Sequence, residues 1–95
     1  MAQMKALDVW AVVVTYNSAG RIQRCVDSIR GSDVVPKIVI VDNGSQDGTV
    51  DIVTSSYPEA LVLETGDNLG FGQACNLGMK VALAAGAKYI LQLND

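Results

Sequence analysis

The chain has 95 residues, enough for one small domain, and 49% of them are hydrophobic, so a packed core is expected rather than a disordered chain. Its formal charge of −3 arises from 10 acidic and 7 basic residues scattered along the chain, so the basic footprint of a nucleic-acid-binding protein is missing and no nucleic-acid partner is expected. Histidine is absent and the two cysteines have no CxxC spacing, which argues against a zinc site and favours buried thiols at Cys25 and Cys75.

Apolar runs and helical spacings predict four strands that alternate with three helices. The predicted strands are residues 9–15, 38–41, 61–63 and 88–93. Asn17 or Ser18 is expected to cap the first helix, whose apolar face is formed by Ile22, Cys25, Val26 and Ile29. Asp47 or Thr49 is expected to cap the second helix, which runs through Val50 and Val53 and stops before Pro58.

The third helix is predicted to follow a glycine-rich segment. Residues 66–72, GDNLGFG, contain too much glycine for a regular element, so we interpret them as a loop with unusual backbone angles. Gly86 is expected to end the helix. The residues predicted to face the sheet are Ala74, Leu77, Gly78, Val81 and Ala85.

This order of elements defines the expected fold class. A β-α-β-α-β-α-β chain with short connections and right-handed crossovers gives a three-layer, Rossmann-like α/β fold with a parallel sheet, and strand order 3-2-1-4 is the natural expectation. The run at residues 38–41 is apolar without alternation, which suits a strand buried on both faces of such a sheet. No repeat or linker interrupts the chain, so we treat residues 1–95 as one unit.

Polar residues follow every predicted strand. They are Thr15, Tyr16 and Asn17, then residues 42–45, then residues 67–72, then Asn94 and Asp95. Taken singly, each cluster is typical of a turn, but all four fall on the carboxyl edge of the sheet, where open α/β sheets bind their ligands. Asp42 carries the strongest expectation, because a carboxylate that directly follows four buried aliphatic residues needs partners from a ligand or from loop amides.

A nucleotide is the ligand that these residues fit best. Tyr16 offers an aromatic face, Asp42 an acceptor for donors of a base or a ribose, and the glycine segment a backbone that can lie close to phosphates. Because neither GxGxxG after the first strand nor GxxxxGK[ST] occurs, a nicotinamide cofactor and a P-loop are not supported.

Four blocks of the chain resemble the successive motifs of a family 2 glycosyltransferase with the GT-A fold. They are residues 13–17 (VVTYN), 40–49 (IVDNGSQDGT), 68–78 (NLGFGQACNLG) and 93–95 (LND). The resemblance covers nearly the whole chain. The third block is most similar to the rhamnosyltransferase-like branch, whose donors are nucleotide-diphospho-sugars such as dTDP-rhamnose.

The resemblance implies a role for each matching residue. Thr15, Tyr16 and Asn17 would line the pocket for the base and ribose, and Asp42, followed by Asn43 and Gly44, would accept a hydrogen bond from the base. The wall beside the nucleotide and donor sugar would contain Asn68, Gly70, Phe71, Gly72 and Asn76.

The resemblance also implies a cofactor. Asn94 and Asp95 would start the DxD-like motif, with Asp95 as a ligand of Mg²⁺ or Mn²⁺. Because the motif is not finished at Asp95, we expect no cation to be held by these 95 residues alone.

The implied function is the donor-binding portion of a glycosyltransferase that moves a sugar from a nucleotide-diphospho-sugar to the hydroxyl of a saccharide or lipid-linked acceptor. In the family the general base and the acceptor-binding half lie beyond position 95, so no catalytic residue is assigned and this piece is expected to be inactive by itself. The alternative is a non-catalytic nucleotide-binding or assembly module of α/β type. A flavodoxin-like or receiver-type domain fits less well, because the first strand ends without an acidic pair or a phosphate loop.

Two expectations concern the surroundings of the protein. Residues 1–8 lack the pattern of a signal peptide and no apolar run approaches the ~20 residues that span a bilayer, so a cytoplasmic enzyme is predicted, with work at the inner face of the membrane left open. The outer edge of the fourth strand has no later strand to pair with, and its apolar residues Tyr89, Ile90, Leu91 and Leu93 predict self-association.

Overall fold

The computed structural model describes residues 9–33 and 35–94, and it confirms the predicted alternation of strands and helices. The elements in chain order are β1 (Val9–Thr15), α1 (Ile22–Arg30), β2 (Lys37–Asp42), α2 (Thr49–Ser56), β3 (Leu61–Glu64), α3 (Gly70–Ala84) and β4 (Tyr89–Asn94). All strand pairs are parallel, and the sheet order is β3-β2-β1-β4, as predicted.

The sheet has a packed cluster on each face, which explains why β1 and β2 are apolar without alternation. On one face, Ala11 and Val13 of β1 pack with the buried residues of α1 and α2, including Ile22 and Val53. On the other face, Val12 and its neighbours Trp10 and Val14 pack against α3. Every residue of β1 is therefore buried. The apolar face predicted for α1 is confirmed, with Cys25 at its half-buried margin.

The face predicted for α3 needs a correction. The buried residues are Ala74, Cys75, Gly78 and Ala82. Leu77 and Ala85 are exposed and Val81 is half-buried, so only two of the five predicted contacts lie in the centre of the interface. The reason is the close approach of the helix to the sheet at Gly78, where an added Cβ would lie 2.4 Å from Val12 Cγ1.

The segment 66–72 is a loop only in its first part, which corrects the prediction. Gly66 and Gly70 have φ of 82° and 83°, the unusual angles expected, but α3 already begins at Gly70 and so includes Phe71 and Gly72. Side chains of Asn43 and Asn68 accept the Leu69 and Gly70 amides, so these two amides at the helix entry have partners despite the glycines.

The end of α3 is as predicted. Gly86 has φ of 98°, its amide donates to the Leu83 carbonyl over 3.0 Å, and the Ala87 amide donates to the Ala82 carbonyl over 3.0 Å. This pair of bonds is a Schellman motif, which needs a left-handed residue after the helix and therefore favours glycine.

The predicted caps of α1 and α2 are partly wrong. Arg21 is the N-cap of α1 and makes no side-chain cap bond; instead the Ser18 carbonyl accepts the Arg21 and Ile22 amides, each over 2.8 Å. Gly48, in the left-handed conformation, is the N-cap of α2, and Thr49 is its first helical residue. Asp47 does act on the first turn, because its Oδ1 accepts the Thr49 amide over 3.2 Å.

Three further expectations concern the two cysteines, the fourth strand and membrane-spanning helices. Cys75 is a buried thiol, as predicted, and burial raises the pKa of its thiol, while Cys25 is half-buried. Tyr89 and Leu91 on β4 are about half exposed, because α1 and α2 do not cover this part of the sheet. Within residues 9–33 and 35–94, no helix is long and apolar enough to cross a membrane.

Candidate functional site

The loops that follow β1 and β2 are joined to each other at the carboxyl edge of the sheet. The Asn17 amide donates to Ser45 Oγ over 2.8 Å, and Asn17 Oδ1 accepts the Gln46 amide over 2.9 Å. In each of these two bonds, a main-chain amide of one loop donates to a side chain of the other loop. The two polar clusters that the sequence placed on one edge are a single bonded unit.

Asp42 lies beneath this unit and is only 2% exposed. Its Oδ1 accepts the hydroxyls of Thr15, over 2.8 Å, and Ser45, over 2.5 Å, while its Oδ2 accepts the Ser45 amide over 2.8 Å. The partners that a buried carboxylate requires are therefore supplied by the protein itself, including a loop amide. These contacts make Asp42 a support for both loops, and the contact with a base that the resemblance implies stays a prediction.

Asp47 makes a second connection between the same two loops. The sequence indicated Asp47 only as a possible helix cap. Its Oδ2 accepts the Ala19 amide over 3.0 Å, and its Oδ1 accepts the Thr49 hydroxyl over 2.5 Å. Thr49 Oγ1 in turn accepts the Ser18 amide over 2.9 Å. The hydrogen bond from the Thr49 side chain is the largest effect on the pKa of Asp47 and lowers it. Burial, the next largest effect, opposes this, but the Ala19 and Thr49 amides also lower the pKa, which lies below its usual value.

A third loop, between β3 and α3, lies against the end of β2. The side-chain amide of Asn43 donates to the Gly70 carbonyl over 3.3 Å and accepts the Leu69 amide over 3.4 Å. Gly44, with φ of 85°, lies so close to this loop that an added Cβ would be 3.4 Å from the backbone of Asp67. Since a side chain is strained at that φ, glycine suits this position, where the two loops lie close together.

The structure separates the predicted site residues into supporting and surface positions. Thr15, Asp42 and Asn43 are buried. Tyr16 is 47% exposed and Phe71 41% exposed, so both aromatic rings offer surface to a ligand. Gly44 is half-buried, and the remaining predicted residues are exposed: Asn17, Asn68, Gly70, Gly72 and Asn76. At the fourth strand, Asn94 pairs in register with Val14, which places the end of β4 beside the end of β1.

Two shallow pockets flank these residues. One, of about 270 Å³, lies along α3 and is lined by Leu69, Gln73, Asn76, Leu77 and Lys80. The other, of about 340 Å³, lies at the start of α2 and is lined by Ser45, Gln46, Gly48, Val50, Asp51 and Glu64. Sequence reasoning missed Gln73 and Lys80, although their helical spacing from Asn76 and Leu77 indicates a shared surface.

The cation that the resemblance implies has no cluster of ligands among the described residues. Residues 9–33 and 35–94 contain no group of three or more His, Cys, Asp or Glu side chains that could hold a metal ion. Asp95, the predicted ligand, lies outside the described residues.

With the geometry of this edge known, the class of protein follows from a match to a family model. Residues 10–95 match the model described as "Glycosyl transferase family 2". The chain therefore belongs to glycosyltransferase family 2, as the four sequence blocks predicted.

Curated relatives agree with this assignment. The chain is 38% identical over 66 residues to the N-acetylglucosaminyl-diphospho-decaprenol L-rhamnosyltransferase of Mycobacterium tuberculosis, a match that covers 68% of this chain and 22% of the relative. It is 32% identical over 84 residues to glycosyltransferase AglE of Haloferax volcanii, covering 81% of this chain and 27% of the relative. The chain thus spans about a quarter of the length of these relatives.

Solved structures share the fold. The mannosyltransferase PcManGT of Pyrobaculum calidifontis, in complex with GDP-Man and Mn²⁺, superimposes with a TM-score of 0.69 at 30% identity, covering 78% of this chain and 24% of that one. Staphylococcus aureus TarS 1-349 superimposes with a TM-score of 0.77 at 27% identity, covering 96% and 27%. Together with the sheet order, these likenesses confirm that the chain has the fold of part of a GT-A domain.

Proposed function

We propose that the chain is the donor-binding portion of a glycosyltransferase that transfers a sugar from a nucleotide-diphospho-sugar to an acceptor hydroxyl. The observation that carries this proposal is the bonded edge of the sheet, where three loops are fixed to one another beside two exposed aromatic rings. A parallel sheet collects ligand contacts at this edge, and rings with fixed supports suit a planar base.

The exposed residues of the edge form the proposed contact surface for the nucleotide. Tyr16 offers its ring to the base, and Gly70 and Gly72 allow the backbone to lie close to the ligand. Asn17, Gly44, Asn68, Phe71 and Asn76 complete this surface. Thr15, Asp42 and Asn43 support it from beneath, because their polar groups are already bonded within the protein.

For the sugar, we propose dTDP-rhamnose as donor. The rhamnosyltransferase of Mycobacterium tuberculosis supports a rhamnose donor, whereas PcManGT was solved with GDP-Man, so related chains differ in the donor that they use. The acceptor proposed for the whole enzyme is a saccharide or a lipid-linked saccharide, a class that includes the diphospho-decaprenol in the name of that rhamnosyltransferase. Such a reaction would take place in the cytoplasm or at the inner face of the membrane.

A divalent cation, Mg²⁺ or Mn²⁺, is proposed for the whole enzyme, and PcManGT was solved with Mn²⁺. When bound, such an ion would neutralise charge on the diphosphate. The described residues do not fit it by themselves, because they contain no cluster of three possible ligands. We propose that Asp95 contributes one ligand of this ion.

A second candidate function is a nucleotide-binding or assembly module without catalysis. It is favoured by the fact that the chain spans about a quarter of the length of its relatives, which leaves most of a transferase outside it. Incubation of the purified chain with dTDP-rhamnose or GDP-mannose tests whether the 95 residues catalyse transfer by themselves. We expect no sugar transfer by the 95 residues, and measurable transfer would place the general base within them.

Calorimetric titration with UDP, dTDP and GDP tests nucleotide binding. The chain offers a matched pair of exposed tyrosines, since Tyr16 follows the carboxyl end of β1 and Tyr89 begins β4 at the opposite edge. Loss of base stacking costs about 1–3 kcal/mol, so Tyr16→Ala is expected to weaken binding by roughly 5- to 150-fold while Tyr89→Ala leaves it unchanged. No binding of any of the three nucleotides by the parent, or equal losses in both variants, would contradict the proposal.

A further inference from the structure

We propose that Asn43 is a positioning residue: its side-chain amide fixes the start of α3, with the Phe71 ring, against the end of β2, and the task requires one donor and one acceptor rather than a carboxylate. The role rests on the proposed function only for its effect on nucleotide binding. The bonds themselves can be tested in the protein without ligand.

The backbone of Asn43 is fixed by the sheet. Its amide donates to the Thr15 carbonyl over 2.9 Å, which extends the β1–β2 pairing by one residue beyond β2. The residue is only 2% exposed, so its side chain cannot turn away into solvent. The backbone from which the side-chain amide projects is therefore held in place by the central strands.

The far end of that amide meets the entry of α3 in two complementary bonds. Nδ2 donates to the Gly70 carbonyl over 3.3 Å, and Oδ1 accepts the Leu69 amide over 3.4 Å. A carboxylate at this position could accept from Leu69 but would set a second acceptor against the Gly70 carbonyl. An uncharged group with both a donor and an acceptor is what this position accommodates.

The Thr65 hydroxyl lies near the side chain of Asn43 but donates its hydrogen elsewhere. This hydroxyl lies 3.3 Å from Asn43 Oδ1 but 2.5 Å from the Asp67 carbonyl, and a hydroxyl has only one hydrogen to donate. The shorter contact receives that hydrogen. The bonds of Asn43 with Leu69 and Gly70 are thus those through which its side chain holds the helix entry.

The other side chain at the entry acts locally. Asn68 Oδ1 accepts the Gly70 amide over 2.9 Å, a bond between residues two apart that shapes the turn without attaching it to the sheet. Asn43 is 27 residues from Gly70, so its bond determines where the first turn lies relative to the edge. Phe71 is the next residue after Gly70, so the same bond places the backbone from which its ring projects. Phe71 is 41% exposed.

Asn43→Asp tests the requirement for a donor, because protonation restores it. A carboxylic acid can donate to Gly70 and accept from Leu69, as the amide does, whereas the carboxylate cannot donate. Burial and the neighbouring carboxylate of Asp42 both favour the protonated form, and Glu64 and Asp67 are the other acidic residues of the adjoining β3 and its loop. Asn68→Asp is the matched control, since its oxygen still accepts the Gly70 amide in either protonation state.

The first readout is the ¹H–¹⁵N spectrum of the ligand-free chain between pH 8 and pH 5. We expect the Leu69, Gly70 and Phe71 amide resonances of Asn43→Asp to differ from those of the parent at pH 8 and to approach them as the pH falls. Asn68→Asp should show no such return. If the resonances of Asn43→Asp match those of the parent while its carboxyl group is ionised, the proposal is overturned.

The second readout is the affinity for dTDP, expressed as the ratio of variant to parent at each pH so that titration of the nucleotide cancels. Breaking a buried hydrogen-bond pair predicts an affinity for Asn43→Asp about tenfold lower at pH 8, with recovery at pH 5. A ratio that does not change with pH overturns the role in binding. If the parent binds no nucleotide, the proposed function fails while the resonances still report on Asn43.

A further variant covers the case in which the carboxylate prevents folding at pH 8. Asn43→Ala removes both bonds without adding a charge, so its dTDP affinity should be reduced to a similar extent at pH 8 and pH 5, with a folded circular dichroism spectrum at both. Parent-like affinity in Asn43→Ala would overturn the proposal.

Discussion

Substitution of Gly78 by alanine tests the packing of α3 on the sheet. The added Cβ would lie 2.4 Å from Val12 Cγ1 and 3.0 Å from Val41 Cγ2. Non-bonded carbons are at their optimum about 3.5–4.0 Å apart, so the first contact is about 1 Å too short. Both valines are fully buried in central strands, and a β-branched side chain has few alternative rotamers. The helix must therefore move away from the sheet.

Two opposing terms set the expected size of the effect. Overpacking of a core costs about 1–3 kcal/mol, and a contact this short places Gly78→Ala in the upper part of that range. Alanine in place of glycine inside a helix returns about 1 kcal/mol. The expected net loss of unfolding free energy is about 1–2 kcal/mol, and each kcal/mol lowers the Tm of a domain of this size by about 4–8 °C.

Urea unfolding, followed by circular dichroism and by the fluorescence of the single tryptophan, Trp10, measures this loss. Gly72→Ala is the matched control, because an added Cβ there has nothing within 4 Å and the residue lies in the same helix. The control should be as stable as the parent or slightly more so. If Gly78→Ala were no less stable than the parent, the close approach of α3 to Val12 and Val41 would be refuted.

Three other predictions concern the loops and the edge of the sheet. Asp42→Asn should lower the unfolding free energy by about 1–3 kcal/mol in urea, since an amide nitrogen replaces an acceptor of a buried bond, and no change would remove Asp42 from its supporting role. The pKa of Asp47 is lowered in the folded state, so its contribution to stability should be present above its unfolded pKa and lost as the pH falls through the folded value. An NMR titration of Asp47 measures the folded pKa, and a midpoint at or above the ordinary aspartate value would contradict this. Light scattering should show self-association that Leu91→Lys reduces, because Leu91 is exposed beside the outer edge of β4, and a monomer at high concentration would argue against it.

The parts that the sequence predicted well are those decided by local pattern. Uninterrupted apolar runs indicated strands covered on both faces, and short connections with right-handed crossovers favoured the sheet order that is observed. The polar residues after the first three runs were placed correctly on one edge, because all strands of a parallel sheet end on the same side. Motif blocks then sufficed for the family.

What only the tertiary structure decided depends on residues far apart in the chain. Helical spacing alone could not choose Cys75 and Ala82 over Leu77 and Ala85 for the buried face of α3, since that choice follows from the contact of Gly78 with Val12. Glycine content could not show that α3 begins at Gly70, because the bonds that satisfy its entry come partly from Asn43, 26 residues before Leu69.

The same division holds for the site. The sequence determined which residue types stand at the carboxyl edge, and it correctly required partners for the carboxylate of Asp42. It did not determine that Thr15 and Ser45 are those partners, or that Asp47 bonds to Ala19 across two loops. A side chain's partners depend on the relative positions of whole elements, which are set by the packing of helices on the sheet and have no counterpart in local sequence pattern.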